Sequence, residues 1–279
     1  MRIIKSEIIK EEVAKLFIDA NYFLGEDICT AYETLQEKEE SETGIEILKQ
    51  LSENAKIARE LRKPICQDTG MAIVFIEMGE EVFIEGNLKT AINAGVKKGY
   101  ETGFLRKSIV RDPLTRENTN DNTPAIIHID IVSGDKLKIT ATPKGFGSEN
   151  MSQIKMLAPA KGVEGIKEFV LKTVEDAGPN PCPPIIVGVG IGGNFEHSAY
   201  LAKKALLRNL GERNENKFYS DLEEELLVKI NKLGIGPQGF GGRITALDVF
   251  IETHPTHIAG LPVAVNIGCH VNRHKEVII

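Results

Sequence analysis

The sequence predicts an α+β protein with mixed and antiparallel sheets and flanking helices. Three observations predict it. Strand-like segments fall in blocks, 71–78 with 81–85, 125–132 with 137–142, and 244–252 with 261–267; blocks of strands beside blocks of helices mark α+β architecture rather than a regular parallel wheel. Between them lie stretches whose apolar residues recur at three- and four-residue steps, the period of a one-sided helix. The chain has 279 residues, 42% of them hydrophobic and 27% charged, an ordinary globular composition. At that length one body buries roughly 75% of its unfolded surface. The expectation is one domain over 1–279, with room for two lobes and no internal repeat.

Taken in order, residues 8–20 and 45–62 predict amphipathic helices; in the second, Ile45, Leu48, Leu51, Ala55, Ala58 and Leu61 share a face. The acidic stretch EKEESET between them (37–43) reads as a solvated loop or helix end. Residues 71–78 and 81–85 predict strands joined by a tight glycine turn, and 88–101 a helix. Arg111–Pro124 is rich in Asn, Thr, Asp and Pro and reads as a long loop. Residues 125–132 and 137–142 alternate as strands, and Ser133-Gly134-Asp135-Lys136 between them fits a hairpin. A helix over 163–177 ends at the proline cluster Pro179–Pro184, and 185–191 reads as a buried strand. Helices follow over 196–209 and 221–233, the second with Ser220 and Glu223 as a capping box. Residues 244–252 and 261–267 complete the strands.

Lys plus Arg number 34 against 40 Asp plus Glu, a net charge of −6. That balance opposes nucleic-acid binding, whose footprint is a basic face. No apolar run reaches 18 residues, so no transmembrane helix is expected and no membrane partner. The N-terminus lacks the apolar centre and small-residue cleavage site of an export signal. The expected compartment is the cytoplasm, where thiols stay reduced.

Four cysteines occur, Cys29, Cys66, Cys182 and Cys269, with no Cys-x-x-Cys pair. Cys29 lies in the helical segment EDICTAYETL and reads as a small buried hydrophobe. The other three stand in Pro- or Gly-marked loops, KPICQDTG, PNPCPP and NIGCHVN, each at the edge of an apolar segment. Such loops can bring sulfurs together, although spacing alone favours unlinked structural thiols. Gly188, Gly190 and Gly193 spell G-x-G-x-x-G between a strand and a helix. A dinucleotide fold then needs a strand ending in an acidic residue about 20 positions on. That region, NLGERNENK, is a polar loop, which argues against nicotinamide. Two readings remain for the glycines: backbone amides held against an anion, or close packing of strand on helix.

Together, Cys66-Gln-Asp-Thr-Gly, NPCPPIIVGVGIGG, Gly147-Ser-Glu-Asn, HIAGLPVAVNIGCH and the terminal RHKEV resemble one family. It is the alpha subunit, equivalent to the N-terminal domain, of the iron–sulfur class I fumarate hydratases, with L-tartrate dehydratase a close relative. The resemblance runs from about residue 5 to the end. It implies a [4Fe–4S] cluster held by Cys66, Cys182 and Cys269, with one iron not ligated by protein and the cluster-binding loops converging at one face. A cluster held by four thiolates carries electrons; one with an open iron works as a Lewis acid. The implied reaction is reversible hydration of fumarate to L-malate. Asp68 is implied in acid–base work, against the plainer reading of an Asp that caps its loop. Gln67 is implied in hydrogen bonding to substrate, and His257 in hydrogen bonding or proton transfer there, with His254 its near neighbour. Arg106 is implied in gripping a substrate carboxylate with two hydrogen bonds, with Arg111 the alternative in the same segment. Backbone at Gly147 is a further implied contact, His270 a support for the Cys269 loop, and Cys29 structural. The family's complete enzyme has a second domain with more substrate-binding groups. The resemblance therefore implies a separate beta subunit that completes the site, in a heterotetramer of two alpha and two beta. Alternative readings are an L-tartrate dehydratase or mesaconate hydratase alpha subunit and, from another class, a redox or sensing iron–sulfur protein using Cys29 as a fourth ligand.

Overall fold

The chain folds as two units, and the computed structural model describes every residue, 1–279. Unit 1 is Met1–Gly25, Ala55–Phe146 and Arg273–Ile279; unit 2 is Glu26–Asn54 and Gly147–Asn272. The mixture of helices with open mixed sheets is the α+β class that the blocks of strands predict. No helix is long and apolar enough to cross a membrane.

In unit 1 the chain runs through β1 (Arg2–Lys5), α1 (Ser6–Tyr22), β2 (Met71–Gly79), β3 (Val82–Glu85), α4 (Leu88–Thr102), β4 (Ile126–Val132), β5 (Leu137–Lys144) and β10 (Lys275–Ile278). The main sheet has the order β10-β5-β2-β4, and β1 pairs with β3 in a small separate sheet. The turn after Gly79 joins β2 to β3 as expected, although the two strands do not pair, and the expected hairpin of β4 with β5 is overturned. β2 lies between β4, to which it is parallel, and β5, to which it is antiparallel. Residues 72–76 are buried at every position, so β2 has two apolar faces and must take the centre. β3 alternates half-buried and exposed residues and goes to an edge pairing instead. β4 is the outer strand: Ile129 and Ile131 share a face as expected, but are 47% and 63% exposed. α1 and α4 pack through Ile9, Val13, Phe17, Ile92, Val96 and Tyr100 onto Val74, Ile76, Leu137 and Ile139.

Unit 2 carries α2 (Glu26–Leu35), most of α3 (Glu42–Leu61), β6 (Gln153–Leu157), α6 (Gly162–Ala177), β7 (Ile185–Gly193), α7 (Phe195–Ala205), α8 (Lys217–Asn231), β8 (Ala246–Thr256) and β9 (Leu261–Gly268). The short α5 (Phe146–Glu149) begins at its boundary. The sheet order is β6-β9-β7-β8. Val187, Val189 and Ile191 join Val249, Ile251, Val263 and Val265 in a core with α6 and α8. The alternate residues of β7 are glycines, and α7 lies against them. A Cβ at Gly190 would stand 2.0 Å from the Ser198 carbonyl oxygen, and one at Gly188 2.1 Å from that of Ala202. Close packing is thus the use these two glycines have in the fold.

The helix expected over 196–209 ends at Ala205, and the loop that follows, polar from 209 on as expected, is firmly anchored. Arg208 pairs with the fully buried Glu223 at 2.7 Å, and Arg213 with the buried Asp248 at 2.9 Å. Glu223 also accepts from the backbone of Asn214 and Ile251, so it caps nothing. The start of α8 lies further back, where the Asn216 side chain accepts from Phe218 N. The Ser220–Glu223 capping box is therefore replaced by an asparagine cap and a buried ion pair.

The acidic stretch 37–43 holds a further departure. Glu39 is buried, and its carboxylate accepts from the amides of Glu40, Ser41, Arg243 and Ile244 at 2.7–3.0 Å. Burial pushes the Glu39 carboxyl up, but the backbone bonds from Ile244, Ser41, Arg243 and Glu40 outweigh it and hold it below its ordinary value. A depressed native value means the stabilisation is complete above the unfolded value and is lost as pH falls through the native one. Glu39→Ala should lower stability by about 3 kcal/mol in a denaturant titration at neutral pH, since buried amides lose their acceptor. The deficit should shrink on the acid side.

Candidate active site

In unit 1 the segment Cys66–Gly70 leads directly into β2. Asp68 folds it: Oδ1 accepts from Gly70 N at 3.0 Å, and Oδ2 from Phe146 N at 2.8 Å. Gly145 adjoins the same carboxylate, where a Cβ would stand 3.1 Å from Oδ2. Gly70 has φ +79°, and a Cβ there would lie 2.7 Å from the backbone of Pro143 and Lys144, so only glycine fits. Tyr100 Oη lies 2.8 Å from the carbonyls of Thr69 and Gly70. Burial raises the Tyr100 hydroxyl well above its ordinary value, Arg273 opposing the rise and Asp68 adding to it. The buried Asn122 donates to Gly70 O and accepts from Ser108 N. Thr69 Oγ1 donates to Arg106 O at 3.0 Å.

Unit 1 thereby brings Cys66, Gln67, Asp68 and the Arg106 backbone together. The side chains of Gln67 and Arg106 are exposed, and Asp68 and Cys66 are half-buried. Arg111 is tied to Glu117 instead, by a backbone bond at 2.7 Å and by Nε at 3.7 Å. The loop-capping reading of Asp68 holds in the structure. It leaves an acid–base role open, because each carboxylate oxygen has a second lone pair.

Unit 2 brings Cys182 and Cys269 together. β7 and β9 are antiparallel neighbours with Ile186 opposite Gly268, so one loop enters and the other leaves at the same end of the sheet. His270 N donates to Cys182 O at 3.3 Å, and His270 Nδ1 lies 3.1 Å from the same oxygen. Gln238 Nε2 donates to Pro183 O at 2.6 Å. His270 thus supports the loop, as expected of it. Cys182 has φ +57°, a left-handed conformation costing about 1–3 kcal/mol for a residue with a Cβ. Surrounding contacts hold that strain, which turns an exposed thiol outward from the loop. A Cβ at Gly147 would lie 3.7 Å from Asn180 O, so Gly147 neighbours the same loop, with no conformational need for glycine.

Tyr32 Oη donates to His270 O at 2.5 Å. Burial drives its hydroxyl well above the ordinary value, and the Cys269 and Cys29 thiols add to the rise. Cys29, one helical turn before Tyr32 on α2, therefore stands on the Cys269 side of unit 2. None of the four cysteines forms a disulfide.

His257 is placed elsewhere. It lies in the turn between β8 and β9, where its Nδ1 accepts from Ala259 N at 3.2 Å. Cys269 follows the other end of β9, seven steps along the strand, roughly 23 Å away at 3.3 Å per residue. Within this chain His257 and Cys269 thus flank opposite ends of β9. The reason is topological: the antiparallel β9 carries one motif at each end. His254 is at the His257 end too, with its ring centroid 4.4 Å from that of His197.

The donor chemistry of the loops suits an iron–sulfur cluster. Cys66, Cys182 and Cys269 are outside disulfides, partly or fully exposed, and two stand on adjoining strand ends. No three His, Cys, Asp or Glu side chains gather as a metal site within either unit. Sequence reasoning missed Gly145, Tyr100, Asn122 and Arg273 around the Cys66 loop. The glycine run KGFG and the terminal RHKEV contain two of them, without a signal of what they do there.

Comparison with known proteins adds to this geometry. The family described as fumarate hydratase (fumerase) matches residues 10–278. A Methanocaldococcus jannaschii protein, provisionally named an L(+)-tartrate dehydratase alpha subunit, is 49% identical over 272 residues, covering 95% of each chain. The L(+)-tartrate dehydratase alpha subunit of Escherichia coli O157:H7 is 32% identical over 257 residues, covering 91% of this chain and 85% of its own length. The Escherichia coli K12 protein of that name has the same identity and coverage.

Proposed function

The chain belongs to the fumarate hydratase family, and from that premise we propose that it is the alpha subunit of a [4Fe–4S] hydro-lyase that interconverts fumarate and L-malate. The observation that carries the proposal is the pairing of Cys182 and Cys269 on adjoining strand ends, with Cys66 two residues from Asp68 on the other unit. Cys66, Cys182 and Cys269 hold the cluster. When bound, it supplies a Lewis acid at the iron no thiolate holds, which makes hydroxide a better leaving group.

The remaining work falls to side chains. Arg106, whose backbone is tied to the Cys66 loop, grips one carboxylate of the dianion with its guanidinium fork. Gln67 hydrogen-bonds the substrate, and backbone at Gly147 makes a further contact. Asp68 moves the proton at the substrate hydroxyl through the lone pairs its backbone donors leave. A beta subunit completes the pocket, including the group that takes the carbon-bound proton; the alpha-subunit names of the relatives support such a partner. His257 takes part in hydrogen bonding or proton transfer at the substrate, and the assembly is a heterotetramer of two alpha and two beta, symmetric pairing being the common case. The reducing cytoplasm is the compartment that suits an oxygen-exposed cluster.

A second reading, L-tartrate dehydration, is favoured by the names of the relatives. Mesaconate hydration shares the same carboxylate chemistry. Steady-state assays of the alpha–beta pair, reconstituted anaerobically with iron and sulfide, separate them. The first reading expects kcat/KM for L-malate at least about tenfold above that for L-tartrate, a difference of about 1.4 kcal/mol in transition-state binding. The reverse ratio establishes the second reading. A redox protein with Cys29 as fourth ligand would turn over neither substrate.

A further inference from the structure

Arg273 is 4% exposed and lies in unit 1 behind the Cys66–Gly70 segment. Its Nη2 donates to the carbonyl oxygen of Asp68, and its own carbonyl accepts from Thr142 Oγ1 at 2.9 Å. Nε and Nη1 are buried and have no hydrogen-bond partner. No carboxylate pairs with this guanidinium, although a buried cation is costly unless it is paired and hydrogen-bonded. Arginine does not shed its proton to escape that cost. A residue that merely filled the space beneath the segment would be apolar. The arrangement is economical only if the segment it touches is anionic in use, and that segment carries the Asp68 carboxylate and the Cys66 thiol.

We propose that Arg273 is the positioning residue for Asp68, fixing the Cys66–Gly70 backbone from behind and supplying a permanent positive charge against the anionic groups that this segment presents. What Asp68 then does rests on the hydro-lyase reading; the hold on its backbone does not. The guanidinium grips the Asp68 carbonyl, while the Asp68 carboxylate grips Gly70 N and Phe146 N. Releasing the carbonyl lets the carboxylate shift with respect to those amides and to substrate. Misplacement by about 1 Å is enough to cost about 100-fold in rate.

The test uses Arg273→Gln, neutral, and Arg273→Lys, which keeps the charge without the fork. Two measurements are made: steady-state kinetics of the reconstituted alpha–beta pair, and amide hydrogen exchange of the full chain without cofactor. Arg273→Gln is expected to lower kcat about 100-fold with KM within about twofold. Arg273→Lys should recover about tenfold of that loss. Exchange at Gly70 and Phe146 should quicken at least about tenfold in the Gln variant, while the amides of β2 and β5 keep wild-type rates. Unchanged kcat with unchanged exchange overturns the proposal, as does a rise spread evenly over β2 and β5. Should Arg273→Gln fail to fold, exchange in Arg273→Lys decides: a rise confined to Gly70 and Phe146 supports the proposal, and no rise or an even one overturns it. If the hydro-lyase reading is wrong, the wild-type pair turns over none of fumarate, mesaconate or tartrate, while the exchange result still judges Arg273.

Discussion

Cys182→Ser should strip the chain of its iron and sulfide and lower hydratase turnover by at least about three orders of magnitude, and Cys66→Ser and Cys269→Ser should do the same. Serine is isosteric enough to keep the loops. It stays protonated at neutral pH, so it is a poor substitute for a thiolate on iron. Folding should survive each change, because the two unit cores contain none of these residues. Cys182 is the most telling position, since it is exposed and sits at φ +57°. Strain of this kind persists only where the surroundings over-determine it, and here the bonds from His270 N to Cys182 O and from Gln238 to Pro183 O do so. Cys29→Ser is the matched control, expected to keep cluster content and turnover within about twofold of wild type. Iron and acid-labile sulfide per chain, with the visible absorbance of the cluster, provide the measurement. Loss of the cluster in Cys29→Ser would favour the four-thiolate redox reading.

Asp68→Asn should leave the cluster in place and lower kcat by about 100- to 10,000-fold, the usual range for removing a general acid or base. The substitution also disturbs geometry. The asparagine oxygen can accept from only one of Gly70 N and Phe146 N, and its amide then faces the other donor across a distance now near 3 Å. Asp68→Glu separates the two effects: it keeps the charge and moves the carboxylate by one methylene. A loss from Asp68→Glu as deep as that from Asn assigns the effect to position; a milder loss assigns it to proton transfer. Kinetics at matched iron content make the comparison.

Local signals made the elements legible, and non-local ones hid the rest. Helices α1, α3, α4 and α6 follow from their apolar spacing within a few residues of the expected bounds. The hairpin of β4 with β5 did not follow, because pairing depends on which strand is apolar on both faces, and β2 separates β4 from β5 for that reason. The short strands β6 and β10 carry weak patterns and exist through pairing with β9 and β5. The acidic run 37–43 looked solvated, yet Glu39 is buried because amides 204 and 205 positions away complete its shell. Site residues were legible where motif and loop coincide, as in Cys66-Gln-Asp-Thr-Gly. Arg273 was not: its partner is a backbone oxygen 205 positions away, and a backbone carbonyl has no sequence signature. The separation of His257 from Cys269 was not legible either, because twelve residues of sequence do not reveal that most of them are one extended strand.

The central claim is that Cys66, Cys182 and Cys269 hold one cluster with an iron left open to substrate. Its most direct measurement is Mössbauer spectroscopy of the iron-57-reconstituted alpha–beta pair, with and without L-malate under strict anaerobiosis. The account predicts about four irons per alpha chain and a change on adding substrate confined to one of them. A spectrum in which substrate alters no iron, or protein that takes up no iron and sulfide, would contradict it.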